Sequence, residues 1–354
     1  MNSSHSASRD NNFNLLRIVA ASLVLMSHSF LISTGLVVSE PLHDSLGITW
    51  GRVAVDVFFV TSGFLVTGSL MSRKSLAAFG IARFLRIYPG LWSALALTVI
   101  VAGTYETTLS PMEFFLNSET WKYLIKNGSV LKAGYLLPGV FESNPWKGNI
   151  NGSLWTLPWE IRMYFFLALF WLLSRRLPGE AANNFAKVCL LVASVCLVGN
   201  FARIALNIPV PYSSLGFMQY FSLGYMFFAG SVLCLFQQNI PLTFKLAGPM
   251  LAAILISALD RTIFGFVYVT CLPYLVMYLA LVPGGRIRKF NRFGDCSYGI
   301  YIYAFPVQQT LAFMWKGIGP YQMMWSSFLV TLCLSIASWE LVEKRALSWK
   351  HRFE

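Results

Sequence analysis

Long apolar stretches recur along the whole chain, separated by short polar and mostly basic connections. The stretches repeatedly reach the roughly 20 residues that a helix needs to cross a bilayer. Their spacing predicts ten spanning helices, at about 14–37, 53–72, 87–105, 154–174, 187–206, 215–236, 246–260, 263–282, 294–314 and 323–342. The seventh is short and holds Pro249, and the Asp260–Arg261 pair alone separates it from the eighth. Residues 246–282 therefore read either as two spans or as a re-entrant hairpin. One connection is long, about 106–153, and long loops of this kind are often functional. It contains a semi-apolar piece, Val130–Phe141, too short to span but apolar enough to dip into the outer leaflet.

Composition settles the class. Of 354 residues, 56% are hydrophobic and 12% charged, with a mean hydropathy of +0.59. A soluble domain would carry about twice that charged fraction, so the chain reads as an all-α integral membrane protein, one bundle of about ten transmembrane helices over 1–354. Neither a cleavable signal nor an appended soluble domain is expected. The net charge of +12 would suit nucleic acid, but the basic residues lie between apolar segments. Arg73, Lys74, Arg83, Arg86, Arg175, Arg176, Lys187, Lys245, Arg286, Arg288, Lys289, Arg292, Lys344, Arg345, Lys350 and Arg352 fall on one side, against chiefly Arg52, Lys122, Lys126, Lys132, Lys147, Arg261 and Lys316 on the other. The positive-inside rule then places both termini in the cytoplasm, and no nucleic-acid partner is expected. The six cysteines lack any paired spacing that would suggest a disulfide framework or a metal site.

Ionisable groups inside the apolar stretches are the candidate chemistry. Arg17 and His28 stand eleven positions apart on the first span. Helix geometry brings them to within about 20° of one face and separates them by roughly 16 Å along the axis. They cannot touch each other, but one elongated ligand could touch both. Counting depth from the span ends puts His28 about 10 Å below the outer surface, with Glu160 at a similar level and Asp56 a little shallower. Arg162 falls slightly below them, while Arg17, Arg83 and Arg86 collect at the inner surface. Plainer readings exist for each. Arg17 could snorkel to headgroups, Arg83 and Arg86 could be positive-inside residues, and His28 could be a hydrogen-bonded core histidine. Asp56 and Glu160 could be counter-ions for Arg52 or Arg162.

Five stretches carry a resemblance. Arg17 and His28 with ten residues between them, AVDVFFVTSGFL (Ala54–Leu65), ARFLRIYP (Ala82–Pro89), GSLWTLPWEIRMYF (Gly152–Phe165) and FGDCSYGIYIY (Phe293–Tyr303) occur in the order found in the acyltransferase-3 family. The chain resembles its stand-alone members. One departure is the ninth span, which reads IYAFP where many relatives have a histidine before the proline. The resemblance implies transfer of an acyl group, usually acetyl, from cytoplasmic acyl-CoA to a hydroxyl of a cell-surface or lipid-linked glycan such as lipopolysaccharide, O-antigen or exopolysaccharide. It also implies a bacterial inner membrane. Acyl-CoA would then be a co-substrate, with no bound cofactor and no metal.

The residue types fit such chemistry. Planar, permanently charged guanidinium groups suit the phosphates of a CoA-like donor, and Arg83 and Arg86 lie three apart on one helical face beside Arg17. A buried histidine suits a sugar hydroxyl as general base, with a carboxylate fixing its tautomer. The expectation is therefore that His28 acts as base or transient acyl carrier, that Asp56 or Glu160 orients it, and that Arg17, Arg83 and Arg86 hold the donor. Arg162, Tyr298 and Tyr301 are supporting candidates. A transporter or flippase of glycans or lipids would use the same buried charges without covalent chemistry, and an envelope assembly factor would tolerate loss of His28.

Overall fold

The computed structural model describes residues 10–73, 75–209 and 215–352; Lys74, counted in the charge bias, lies outside them. The chain runs through α1 (Phe13–Thr34), α2 (Pro41–Leu46), α3 (Trp50–Ser72) and α4 (Leu76–Val101). The long connection then contains α5 (Pro111–Leu116) and α6 (Ser118–Gly128). There follow α7 (Leu157–Ser174), α8 (Ala181–Ala205), α9 (Met218–Leu235), α10 (Phe244–Ser257) and α11 (Arg261–Leu281). The last are α12 (Ser297–Met314), α13 (Pro320–Ser338) and α14 (Lys344–Ser348). Among the described residues no named strand occurs, so the protein is all-α and multi-pass.

Helix ends follow local chemistry. Thr49 and Ser75 cap α3 and α4 by accepting the backbone N–H of Arg52 and Ala78, and the Asp260 carboxylate caps α11 through Thr262 and Ile263. Gly35 ends α1 in the left-handed conformation, returning its N–H to the Leu31 carbonyl. At its start, α1 is pinned to the end of α11, because Asn12 donates its backbone N–H to Ala280 and its amide to Leu279 and Pro283. We call the face where α1 begins proximal and the face where it ends distal.

Eight helices among the described residues are long and apolar enough to cross a membrane, two fewer than the sequence predicts. The remaining two expected spans form as α10 and α12. The 14 residues of α10 rise about 21 Å, short of a hydrocarbon core of about 30 Å. This helix turns back on α11 across a three-residue connection. In α12 the polar residues Ser297, Gln308 and Gln309 point into the protein and are fully buried, which lowers its hydropathy without exposing it.

Close packing holds the centre. Helix α3 crosses α9 at Gly63 and Gly230, where an added methyl group would collide with the Phe227 or Val60 carbonyl, so only glycine lets the two backbones approach. The long connection packs part of its apolar surface inward, although Leu131 and Leu136 of the same piece stay exposed. Its apolar residues Val130, Ala133, Leu137, Val140 and Phe141 are buried against the bundle. Gln309 of α12 donates to the carbonyls of Trp146 and Asn149, while Asn144 and Asn151 donate to those of Gln309 and Ile302. Exposed backbone polar groups are costly in lipid, and these contacts satisfy them inside the protein. The connection therefore becomes a wall of the bundle's distal half.

Candidate active site

Two cavities lie one above the other along α1, and both are lined by Val55 and Tyr301. The proximal cavity, of about 90 Å³, gathers Arg17 from α1, Arg83 and Arg86 from α4, Glu160 and Tyr164 from α7, and Tyr298 from α12. One oxygen of Asp295 accepts from both Arg17 and Arg86, each at 2.5 Å, and its other oxygen accepts from the Ser297 hydroxyl. Arg86 also stacks over the Tyr298 ring at 5.9 Å, and that tyrosine donates to the Ile87 carbonyl. Arg83 differs. Its guanidinium lies 5.9 Å from the rings of Phe79 and Tyr164, and its Nε is buried without a partner. Glu160 accepts from the hydroxyls of Tyr164 and Ser62.

The distal cavity, of about 310 Å³, is lined by His28, Ser27 and Glu40 on one side and by Tyr135, Trp146, Asn149 and Trp155 of the long connection on the other. The His28 ring stands edge-on to Phe305 at 4.9 Å, and its Nδ1 is buried without a hydrogen-bond partner. Trp146 Nε1 and Asn149 Oδ1 are likewise buried and unpaired. Glu40 accepts from the Ser27 hydroxyl at 2.6 Å and from the Trp50 N–H. Its burial raises the carboxyl pKa, which those two hydrogen bonds oppose. Between the cavities the Tyr301 hydroxyl donates to the Ser153 carbonyl at 2.8 Å and meets Thr156 Oγ1 at 2.6 Å.

A family model for an acyltransferase domain matches residues 10–340. The chain belongs to the acyltransferase-3 family. This acyltransferase is 30% identical over 347 residues to a protein of Shigella phage Sf6 named O-acetyl transferase, covering 96% of this chain and 97% of that one. It is 28% identical to Nodulation protein 10 of Rhizobium leguminosarum bv. viciae, covering 97% and 95%. A shorter match, 28% over 131 residues, covers 37% of this chain and 31% of acyltransferase MdmB of Streptomyces mycarofaciens. No solved structure matches.

Not every sequence-predicted residue of the acyltransferase meets where depth counting put it. Arg17, Arg83 and Arg86 do converge, and Tyr298 and Tyr301 line the same cavity. Glu160 joins them instead of His28. The reason is the buried 3-10 turn Gly152–Thr156, which carries the chain into the bundle before α7 begins and sets Glu160 deeper than a count from the surface allows. Asp56 also turns away from His28. It accepts from Arg52 Nε at 3.1 Å and from the Tyr268 hydroxyl at 3.0 Å, facing a third cavity, so the counter-ion reading describes its geometry. Neither carboxylate orients the histidine. Arg162 lies outside both cavities, 4.5 Å over the Trp159 ring and donating to the Leu131 carbonyl. Phe305, the residue before Pro306 in α12, packs against the His28 ring.

Depth counting missed Asp295, Glu40, Trp146 and Asn149. Asp295 carries a signal, as a lone acid following the basic run of 286–292 and inside FGDCSYGIYIY. The expected first span runs to residue 37 and so sets Glu40 at the surface, whereas α1 ends at Thr34 and the chain folds back. The other two belong to a connection whose folding no periodicity reveals.

Proposed function

We propose that the protein is an O-acyltransferase that moves an acyl group, acetyl in the simplest case, from a cytoplasmic acyl-CoA to a hydroxyl of a cell-surface or lipid-linked saccharide. The proximal face would be cytoplasmic in a bacterial inner membrane, with both termini on that side, as the basic bias supports. Arg17, Arg83 and Arg86 hold the phosphates of the donor, and the thioester reaches past Val55 and Tyr301 toward His28. The imidazole takes the acceptor's hydroxyl proton as the oxygen attacks the thioester carbon. The carbon–sulfur bond breaks, and the departing thiolate takes up the proton. An acyl-histidine route uses the same residue as carrier.

The observation that carries this reading is the character of the distal cavity. It holds an unpaired donor at Trp146 Nε1, an unpaired acceptor at Asn149 Oδ1 and the His28 ring, between aromatic walls. Saccharides combine apolar ring faces with many hydroxyls, which such a lining matches. The relative named O-acetyl transferase supports an oxygen acceptor and an acetyl donor.

Membrane vesicles of known orientation, supplied with labelled acetyl-CoA on one side only, test the arrangement. Label should pass to a saccharide acceptor when the donor is offered at the cytoplasmic face. Labelling of an outer acceptor from acyl-CoA offered solely at the outer face would overturn it.

A further inference from the structure

A third cavity, of about 460 Å³, opens in the distal half between α3, α8, α9 and α11, on the side of α3 away from His28. Three guanidinium groups line it at graded exposure: Arg52 buried on its floor, Arg203 half-buried in its wall and Arg261 exposed at its mouth. The Asp56 carboxylate, also in the lining, is held by Arg52. Arg203 donates to neutral oxygens, twice to Asn200 Oδ1 and once to the Ile208 carbonyl. Arg261 gives its Nε–H to the Ser45 carbonyl. Cations within a membrane protein's apolar surroundings are costly unless compensated, and here three face one lining carboxylate. Asp44 and Asp260 stand near the mouth, but Asp44 meets His43 and Asp260 caps α11. The remaining wall is apolar, formed by Ile204, Met226, Phe264 and Val269.

We propose that this cavity binds the phosphate-bearing headgroup of an amphipathic ligand, with Arg203 and Arg261 receiving phosphate oxygens and the apolar wall receiving the start of its chain. Guanidinium forks match phosphate geometry and bind it by charge-assisted hydrogen bonds. A surplus of cations beside an apolar wall is what a lipid phosphate or diphosphate would satisfy. The site is separate from the donor cavity, which holds a different set of arginines, and the inference does not rest on the reaction proposed above.

Calorimetric titration of the purified full chain in neutral detergent tests it, with farnesyl diphosphate, inorganic pyrophosphate and farnesol as probes. Farnesyl diphosphate should bind, pyrophosphate should bind more weakly, and farnesol should not bind. Arg203→Gln should weaken farnesyl diphosphate by about tenfold or more, and Arg261→Gln by less, since each removes a charge-assisted contact. Arg86→Gln, in the donor cavity, should leave this affinity unchanged. Pyrophosphate binding as tightly as farnesyl diphosphate would overturn the amphipathic part and assign the site to soluble phosphates. Affinity unchanged in both Arg203→Gln and Arg261→Gln, or lost instead in Arg86→Gln, would overturn the site itself. Arg261 is exposed, so its variant keeps the test open should Arg203→Gln fail to fold.

Discussion

The proximal and distal cavities share α1, α3 and α12, yet they handle polarity in opposite ways. In the proximal one, every formal charge but that of Arg83 is answered from within the protein: Asp295 bridges Arg17 and Arg86, and Glu160 is held by Tyr164 and Ser62. In the distal one, neutral polar atoms stand unpaired, at His28 Nδ1, Trp146 Nε1 and Asn149 Oδ1. The difference follows from cost. An uncompensated buried charge costs several kcal/mol, roughly, and is paired even without ligand, whereas an unpaired neutral group costs about 1–3 kcal/mol and can wait for one. Asp295 thus occupies a place whose negative charge a donor phosphate would share. Under the proposed function, these neutral orphans would pair with the acceptor's hydroxyls.

The sharpest way to break this pairing of donor and acceptor cavities is at His28. If it is the base, His28→Ala should lower acyl transfer by about a hundred- to ten-thousandfold, with donor affinity intact because the arginines line a separate cavity, Arg17 some 16 Å away along α1. Release of free CoA and a donor-binding titration on the same preparation check both halves. A variant that loses activity only in proportion to its loss of folded protein would return His28 to a packing role beside Phe305.

A smaller effect separates the proximal arginines from one another. Arg83 has no carboxylate partner among the described residues, while Arg17 and Arg86 share Asp295. Its guanidinium is therefore the most available to a phosphate. Arg83→Ala should weaken acyl-CoA binding by about ten- to a hundredfold, the value of one charge-assisted bond. Arg83→Lys should restore part of that, keeping the charge but losing the fork. Equal donor affinity in wild type and Arg83→Ala would leave Arg83 as a residue of topology.

How much of this was legible in the sequence depends on what placed each residue. Arg17, Arg83 and Arg86 sit on regular helices near span ends, so periodicity and depth counting brought them together. The all-α membrane class followed from hydropathy alone. Glu160 and Asp56 failed for two different reasons. Depth counting assumes that a span starts at the surface, and the buried turn Gly152–Thr156 breaks that assumption. It also says nothing about azimuth, and Asp56 shares a level with the distal cavity while turned about 100° round α3 from Val55, into a different cavity. The aromatic wall was invisible because residues 129–151 fold by tertiary hydrogen bonds to α12, not by any local pattern.

The subtlest test concerns Glu40, the carboxylate among the residues lining the distal cavity. If that cavity is built around neutral groups, this carboxyl belongs with them. Burial raises its pKa above the ordinary 4.5, against the pull of the Ser27 hydroxyl and the Trp50 N–H. The folded protein then holds this proton more tightly than the unfolded chain does. The sign follows: stability is greatest while Glu40 is protonated and declines as pH rises from the unfolded value through the raised folded one, levelling off above it. Glu40→Gln cannot titrate, so melting temperatures of the variant relative to wild type should rise across that same interval and stay flat outside it. A pH series of thermal melts in detergent, run on both proteins, reads the difference directly. If the two curves stay parallel, Glu40 has the same pKa folded and unfolded, and burial in the distal cavity does not hold it neutral.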